Sequence, residues 1–148
     1  MATRRQRVNS GGPFEATFGY SRAVRVGDHV AVAGTTAIKD GAPFAAGDAA
    51  AQTRYILEVV ERALAEAGAT LGDVIRYRVF LTDIADAAAV GNEMGRVFSA
   101  IRPAGTMVGN STLVNPDLRV EIEVDAIVNS AMTESETVEE VNPDETES

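Results

Sequence analysis

The most regular pattern in this chain is a strict alternation of apolar and charged residues near its C-terminal end. One face carries Leu118, Val120, Ile122, Val124, Ala126 and Val128, and the other carries Arg119, Glu121, Glu123 and Asp125. Alternation with a period of two predicts a half-buried β-strand. Its charged face is expected to meet water or a partner subunit rather than a dry core. The Asn115-Pro116-Asp117 turn before it favours a reversal of the chain.

Two stretches have apolar residues at helical spacing. The first is expected from about Asp48 to Ala67, with Asp48 as N-cap and Gly68 as stop signal. Its apolar stripe comprises Ile56, Val60, Ala63, Leu64 and Ala67. The second is expected from about Asp86 to Ile101, and Pro103 ends it because the residue before a proline avoids helical conformation.

Shorter alternating runs predict the remaining strands. These are Gln6 to Val8, the second half of residues 14–28, residues 29–34, residues 73–83 with Ile75, Tyr77, Val79 and Leu81 on one face, and a strand after Pro103. Gly27-Asp28 is expected to form a tight hairpin, and residues 39–47 a loop. The order of elements predicts an α+β domain of two layers, with both helices on one face of the sheet.

Composition limits the classes of function. The chain has 148 residues, no cysteine and one histidine, so a metal-ligand cluster is not expected. It has no phosphate loop or dinucleotide fingerprint, and we expect no cofactor. No apolar run is long enough to span a membrane, and the basic N-terminus lacks the apolar stretch of a signal peptide. A cytoplasmic location is therefore expected.

The formal net charge of −9 is concentrated at the C-terminus. Residues 129–148 contain seven acidic residues after position 133, no Lys or Arg, and no apolar periodicity. We predict a folded domain over residues 1–128 and an acidic, disordered tail over residues 129–148. An acidic surface repels phosphate backbones, which argues against nucleic acid as a partner.

Several segments together resemble the reactive-intermediate imine deaminase family, the RidA/YjgF group. The resemblance runs from Phe18 to Val128, and its strength lies in the order and spacing of its pieces. These are Gly19-Tyr20-Ser21-Arg22-Ala23-Val24, Val30-Ala31-Val32-Ala33-Gly34, Gln52-Thr53-Arg54, Gly68-Ala69-Thr70-Leu71-Gly72-Asp73-Val74, Val79-Phe80-Leu81-Thr82-Asp83, Asn92, Arg102-Pro103-Ala104 and Val120-Glu121-Ile122-Glu123.

The resemblance implies a chorismate-mutase-like fold with a six-stranded, mostly antiparallel sheet. It also implies a homotrimer with small-molecule pockets in the clefts between subunits. Glu121 matches the family's pocket glutamate and is expected to orient water, and Tyr20 is expected to cover the pocket. The implied ligand-binding positions are Ala33, Gly34, Asn92, Gly105, Thr106 and Met107.

Three implied positions depart from the family pattern. Deaminating members have an arginine after the Pro-Ala pair, where it binds the substrate carboxylate. This chain has Gly105 there, and Ala33 and Met107 replace the family's small hydroxyl and its common cysteine. A substitute cation from a neighbouring subunit is an open possibility, with Arg22, Arg54, Arg102 and Arg119 as the candidates.

Two functions therefore remain open, and so does the question of whether the protein is an enzyme. The first is hydrolysis of an imine, enamine or related reactive metabolite without the usual carboxylate-binding arginine. The second is a non-catalytic trimer that binds a metabolite or a partner protein. Ribonuclease activity fits poorly with the negative net charge. The chain also lacks a catalytic set of histidine and lysine residues.

Overall fold

The computed structural model describes residues 4–133 of the chain. The strands are β1 (Arg5–Val8), β2 (Ala23–Val26), β3 (His29–Thr35), β4 (Ile38–Lys39), β5 (Ala42–Pro43), β6 (Val74–Leu81), β7 (Ala104–Val108) and β8 (Val120–Ile127). The helices are α1 (Glu15–Phe18), α2 (Ala49–Glu66) and α3 (Ala87–Phe98), with short 3-10 turns at Leu71–Asp73 and Ile84–Asp86. Of the predicted acidic tail over residues 129–148, residues 134–148 lie outside the described residues.

Six strands form one sheet in the order β1-β2-β3-β8-β6-β7. All neighbouring pairs are antiparallel except β6 and β7, which are parallel because α3 crosses over between them. The predicted α+β architecture with a mostly antiparallel six-stranded sheet is confirmed. The small β4-β5 hairpin overlaps residues 39–47, which were predicted as a loop, and that part of the prediction is wrong.

The core lies between one face of this sheet and helices α2 and α3. All six apolar residues of the alternating C-terminal pattern are buried, which confirms the predicted orientation of β8. The stripe of α2 is also buried, and its N-cap is confirmed because the Asp48 side chain accepts a hydrogen bond from the Ala51 N–H at 3.0 Å. The opposite face of the sheet, which we call the open face, has no helix of residues 4–133 packed on it.

Local irregularities explain the errors in the predicted elements. An irregularity in register between Val74 and Arg76 turns Ile75 outward, so it is 44% exposed and Val74 occupies the core instead. Helix α3 ends at Phe98, earlier than the predicted Ile101, and Arg102 has a positive φ of 53° just before Pro103. Helix α1 is only four residues long and has no apolar stripe to reveal it.

Asp73 fastens the chain after β8 to the start of β6. Its buried carboxylate accepts hydrogen bonds from the N–H groups of Ser130 (3.0 Å), Ala131 (2.9 Å) and Thr70 (2.9 Å). The ordered backbone therefore continues beyond Val128, the predicted domain boundary. Within residues 4–133, no helix combines the length and apolar character that crossing a bilayer requires.

Candidate functional site

The open face of the sheet carries a network of charges at its centre. Arg78 on β6 donates to Glu123 on β8 at 3.2 Å and lies 3.6 Å from the Asp125 carboxylate. The His29 ring, at the start of β3, lies 3.8 Å from Asp125. At the centre of this face, Arg78 and His29 therefore lie beside carboxylates of the neighbouring strand β8.

An open concavity of about 850 Å³ lies between this face and the chain leading into α1. Tyr20 and Ala33, two of the predicted site residues, line it. Other lining groups include Arg5, Arg7, Asn9, Glu15, Arg78, Glu123 and Asp125. The concavity thus carries side chains of both signs of charge.

Arg22 is the buried cation next to this concavity. One guanidinium nitrogen, Nη1, donates to the Gly34 carbonyl at 2.7 Å and to the Thr35 hydroxyl at 2.9 Å. These acceptors follow an irregularity of register in β3, between Val32 and Thr35. The Arg22 guanidinium also lies 5.7 Å from the centre of the Tyr20 ring, within the range of a cation–π contact. Arg22 thereby links Tyr20 to the glycine that borders Glu121.

Glu121 projects over Gly34, so a side chain at position 34 would displace its carboxylate. A Cβ built on Gly34 would collide with Glu121 Oε1 and lie 3.1 Å from Glu121 Cδ. Burial raises the pKa of Glu121, the positive charge of Arg22 opposes the rise, and the negative charge of Glu123 adds to it. Among residues 4–133, no group donates a hydrogen bond to this carboxylate. A half-buried carboxyl with a raised pKa and free acceptor positions is suited to accept a proton from water.

Glu15 is a buried carboxylate of this region that the sequence analysis did not identify. It accepts hydrogen bonds from the Ser10 N–H (3.1 Å), the Ser10 hydroxyl (2.8 Å) and the Gly12 N–H (2.6 Å). Burial raises the pKa of Glu15, but these hydrogen bonds and the charge of Arg22 outweigh it and lower the pKa below its usual value. Glu15 holds the loop that forms one wall of the concavity.

The β7 candidates lie at the other side of the sheet. In the register with β6, Gly105 pairs with Tyr77 and Thr106 pairs with Arg78. The Thr106 side chain therefore shares the open face, whereas Met107 packs against the core. Strand β6 separates β7 from β8 by roughly 10 Å. Gly105 is also level with Val124, three residues along β8 from Glu121, so the two site positions lie farther apart than that spacing.

Asn92 is exposed on α3, in the helical layer of the domain. The predicted site residues thus form two groups in one chain. Tyr20, Ala33, Gly34 and Glu121 gather around Arg22, while Asn92 and the β7 residues lie apart from them. Residues 4–133 contain no group of three or more His, Cys, Asp or Glu residues arranged to hold a metal ion.

Two of the four candidate substitute cations are engaged in ion pairs. Arg54 lies 3.2 Å from Glu93, and Arg119 contacts Asp86 through Nη2 at 2.8 Å. Both pairs lie away from the Arg22 cluster. Of these arginines, Arg22 is the one that the fold places beside Glu121.

Fold and site together define a two-layer α+β domain of the chorismate-mutase-like type with a polar open sheet face. Comparison with known proteins identifies its family. The family model described as Endoribonuclease L-PSP matches residues 12–128. This chain therefore belongs to that family, the YjgF/RidA group.

Individual relatives agree with this assignment. The chain is 39% identical over 121 residues to an uncharacterized protein of Streptomyces coelicolor, covering 82% of this chain and 90% of that protein. It is 43% identical over 76 residues to the 3-aminoacrylate deaminase RutC of Acinetobacter baylyi, covering 51% of this chain and 60% of RutC. A solved structure of a YjgF-family member from Mycobacterium tuberculosis is 49% identical, with a TM-score of 0.77 and coverage of 84% of this chain and 100% of that one.

Proposed function

We propose that this protein is a homotrimer that hydrolyses a small imine or enamine in pockets between its subunits. The observation that carries the proposal is the Glu121 carboxyl, which has a raised pKa and borders Gly34. A cytoplasmic location is part of the same proposal, and fractionation of the source cells tests it.

The split between the two groups of site residues supports a shared pocket. One group surrounds Arg22 and Glu121, and the other lies at the β7 edge and on α3. A second subunit docked on the first would bring the β7 edge of one chain to the Glu121 cluster of its neighbour. Closed symmetric assemblies repeat such a contact identically at each interface.

The proposed chemistry requires one group that moves protons. An enamine first gains a proton on its carbon and becomes the imine. Water then adds to the carbon of the C=N bond, Glu121 accepts a proton from that water, and the substrate nitrogen gains a proton. Collapse of the resulting carbinolamine releases ammonia and leaves a carbonyl compound. Tyr20 is positioned by Arg22 at the rim, where its hydroxyl can bind the substrate. The RutC relative supports this reaction class, because 3-aminoacrylate is an enamine acid.

A kinetic comparison of matched variants tests this proposal. Enzymatically generated 2-aminoacrylate and 3-aminoacrylate are the substrates, and their loss is followed with and without the protein. We expect acceleration by the wild type and a loss of about a hundredfold or more in Glu121→Gln, since a general acid–base group contributes that much. Glu123→Gln, on the same strand and face, should keep most of the activity at neutral pH. A wild type no faster than buffer, or a Glu121→Gln variant as fast as wild type, would refute the proposal.

The alternative is a trimer that binds a metabolite or partner protein without chemistry. Gly105 favours this alternative, because it offers no side chain to a substrate. RNA cleavage is not proposed, since the chain's single histidine faces Asp125 and the central arginine of the open face is paired. Ligand binding without accelerated hydrolysis would support the binding function.

A further inference from the structure

The Tyr77 ring occupies the space into which a side chain at position 105 would project. A Cβ built on Gly105 would collide with Tyr77 Cζ, and it would lie 2.5 Å from Cε2 and 2.7 Å from the hydroxyl oxygen. The parallel register of β6 and β7 sets Tyr77 directly beside Gly105. The glycine therefore makes room for the phenol.

The ring is held in place from its other side. Tyr77 stacks on Phe98 at the end of α3, with ring centroids 5.5 Å apart and planes 29° from parallel. This contact fixes the ring without any hydrogen bond to its hydroxyl. Within residues 4–133, no group bonds to the Tyr77 hydroxyl, and every buried side-chain polar atom there has a partner. The hydroxyl consequently reaches the surface.

The charged residues of strands β6 and β7 lie on the open face, the side of the sheet opposite to the Tyr77 ring. Arg76 and Arg78 alternate with Tyr77 along β6 and so project from the open face. The described strand β7 is composed of Ala104, Gly105, Thr106, Met107 and Val108, none of which is charged. A ligand carboxylate is bound most strongly by a cation. On the Tyr77 side, these two strands offer a neutral donor instead.

We propose that the Tyr77 hydroxyl is a specificity-determining group that donates a hydrogen bond to the carbonyl or imine of a small neutral ligand. The proposal rests on the proposed function in one respect, the location of a pocket at the β7 edge. It makes the preferred substrate an uncharged compound, such as an amide-bearing imine, rather than an imino acid. Tyr77 and Gly105 act as a pair, because the glycine lets the phenol reach the ligand.

A binding experiment tests this inference without requiring turnover. The full chain is labelled with 13C at the tyrosine Cζ, which gives signals for Tyr20, Tyr55 and Tyr77. Tyr77→Phe keeps the ring and its stacking on Phe98, and it identifies the Tyr77 signal by its loss. Tyr55→Phe is the matched control, since the Tyr55 hydroxyl donates to the Ile38 carbonyl in β4. The probes are pyruvamide, which is neutral, and pyruvate, which is anionic.

We expect pyruvamide to shift the Tyr77 signal saturably and to bind more tightly than pyruvate. Tyr77→Phe should weaken pyruvamide binding about threefold to tenfold, the range for a lost neutral hydrogen bond, and Tyr55→Phe should leave it unchanged. An unresponsive Tyr77 signal, tighter binding of pyruvate, or unchanged affinity in Tyr77→Phe would overturn the inference. A protein that fails to hydrolyse imines but binds pyruvamide through Tyr77 would refute only the proposed reaction.

Discussion

At the scale of single residues, the surroundings of Glu121 determine the pKa of its carboxyl. Burial and the nearby Glu123 raise the pKa of its carboxyl, and Arg22 limits the rise. A base acts in its deprotonated form, so activity should fall on the acid side at a higher pH than an ordinary glutamate would give.

Replacing Glu123 should change this pH dependence in a known direction. Glu123→Gln removes a negative charge that raises the pKa of Glu121, so the acid limb of the rate profile should move to lower pH. The measurement is kcat/KM for enamine hydrolysis from acid to neutral pH. Glu58→Gln, on the exposed side of α2, should leave the limb where it is. If the acid limb does not move in Glu123→Gln, protonation of Glu121 does not control the rate, and its role as the base is contradicted.

The space above Gly34 gives a second prediction. Gly34→Ala forces the Glu121 carboxylate away, because the added methyl overlaps Oε1. We expect hydrolysis to fall by about tenfold or more, given how strongly rates depend on placement of the catalytic group. Gly91→Ala is the matched control, since no atom lies within 4 Å of its added Cβ. That variant should keep full activity and gain up to about 1 kcal/mol in stability from better helix propensity.

At the scale of elements, regular patterns predicted the fold well. The alternation in β8 and the stripe in α2 fixed which faces are buried, because one period dominates each segment. Helix α1 and the β4-β5 hairpin had no such period. Ile75 faces outward because of a register irregularity in the pairing of β6 with β8. The sequence of β6 alone does not reveal this irregularity, because it depends on the partner strand.

The candidate site was predictable only in part for the same reason. Tyr20, Ala33, Gly34 and Glu121 meet around Arg22 through the pairing of β3 with β8. Glu15 lay in a segment without periodicity, and its role depends on three donors from a folded-back loop. The contact between Tyr77 and Gly105 required the parallel register, which spans 28 positions of sequence.

Asp73 gives a prediction about how two elements are joined. Burial raises the pKa of Asp73, but hydrogen bonds from Thr70, Ala131 and Ser130 outweigh it and lower the pKa. Its contribution to stability is therefore present above the unfolded pKa and is lost as the pH falls through the lower folded value. Asp73→Ala should reduce the free energy of unfolding by about 2 kcal/mol at neutral pH.

Denaturant unfolding at neutral and acid pH measures this effect, and the difference from wild type should shrink in acid. Asp83→Ala removes a single bond to the Ala85 N–H in an exposed turn and should cost less. Equal costs for the two variants would mean that the link from Asp73 to residues 130–131 adds little.

At the scale of the whole molecule, the open face determines the assembly that we propose. Ala31 is exposed there, beside Asp125 in the register of β3 and β8. Ala31→Glu adds a carboxylate next to that aspartate and should dissociate the trimer if another subunit covers this face. Ala65→Glu, on the exposed side of α2, is the matched control.

Light scattering coupled to size-exclusion chromatography distinguishes the outcomes. We expect three times the chain mass for wild type and Ala65→Glu, and a smaller mass for Ala31→Glu. A trimer that tolerates Ala31→Glu would place the interface elsewhere on the surface.

The contact of Tyr77 with Gly105 also sets an order on the mutations available to this protein. Any side chain gained at position 105 meets the phenol ring first, so the change is costly unless residue 77 has already become smaller. If position 105 changes first, the intermediate protein has a steric clash between the new side chain and the Tyr77 ring. A change to an arginine at position 105 therefore requires two substitutions in a set order, and the present pair of residues opposes that change.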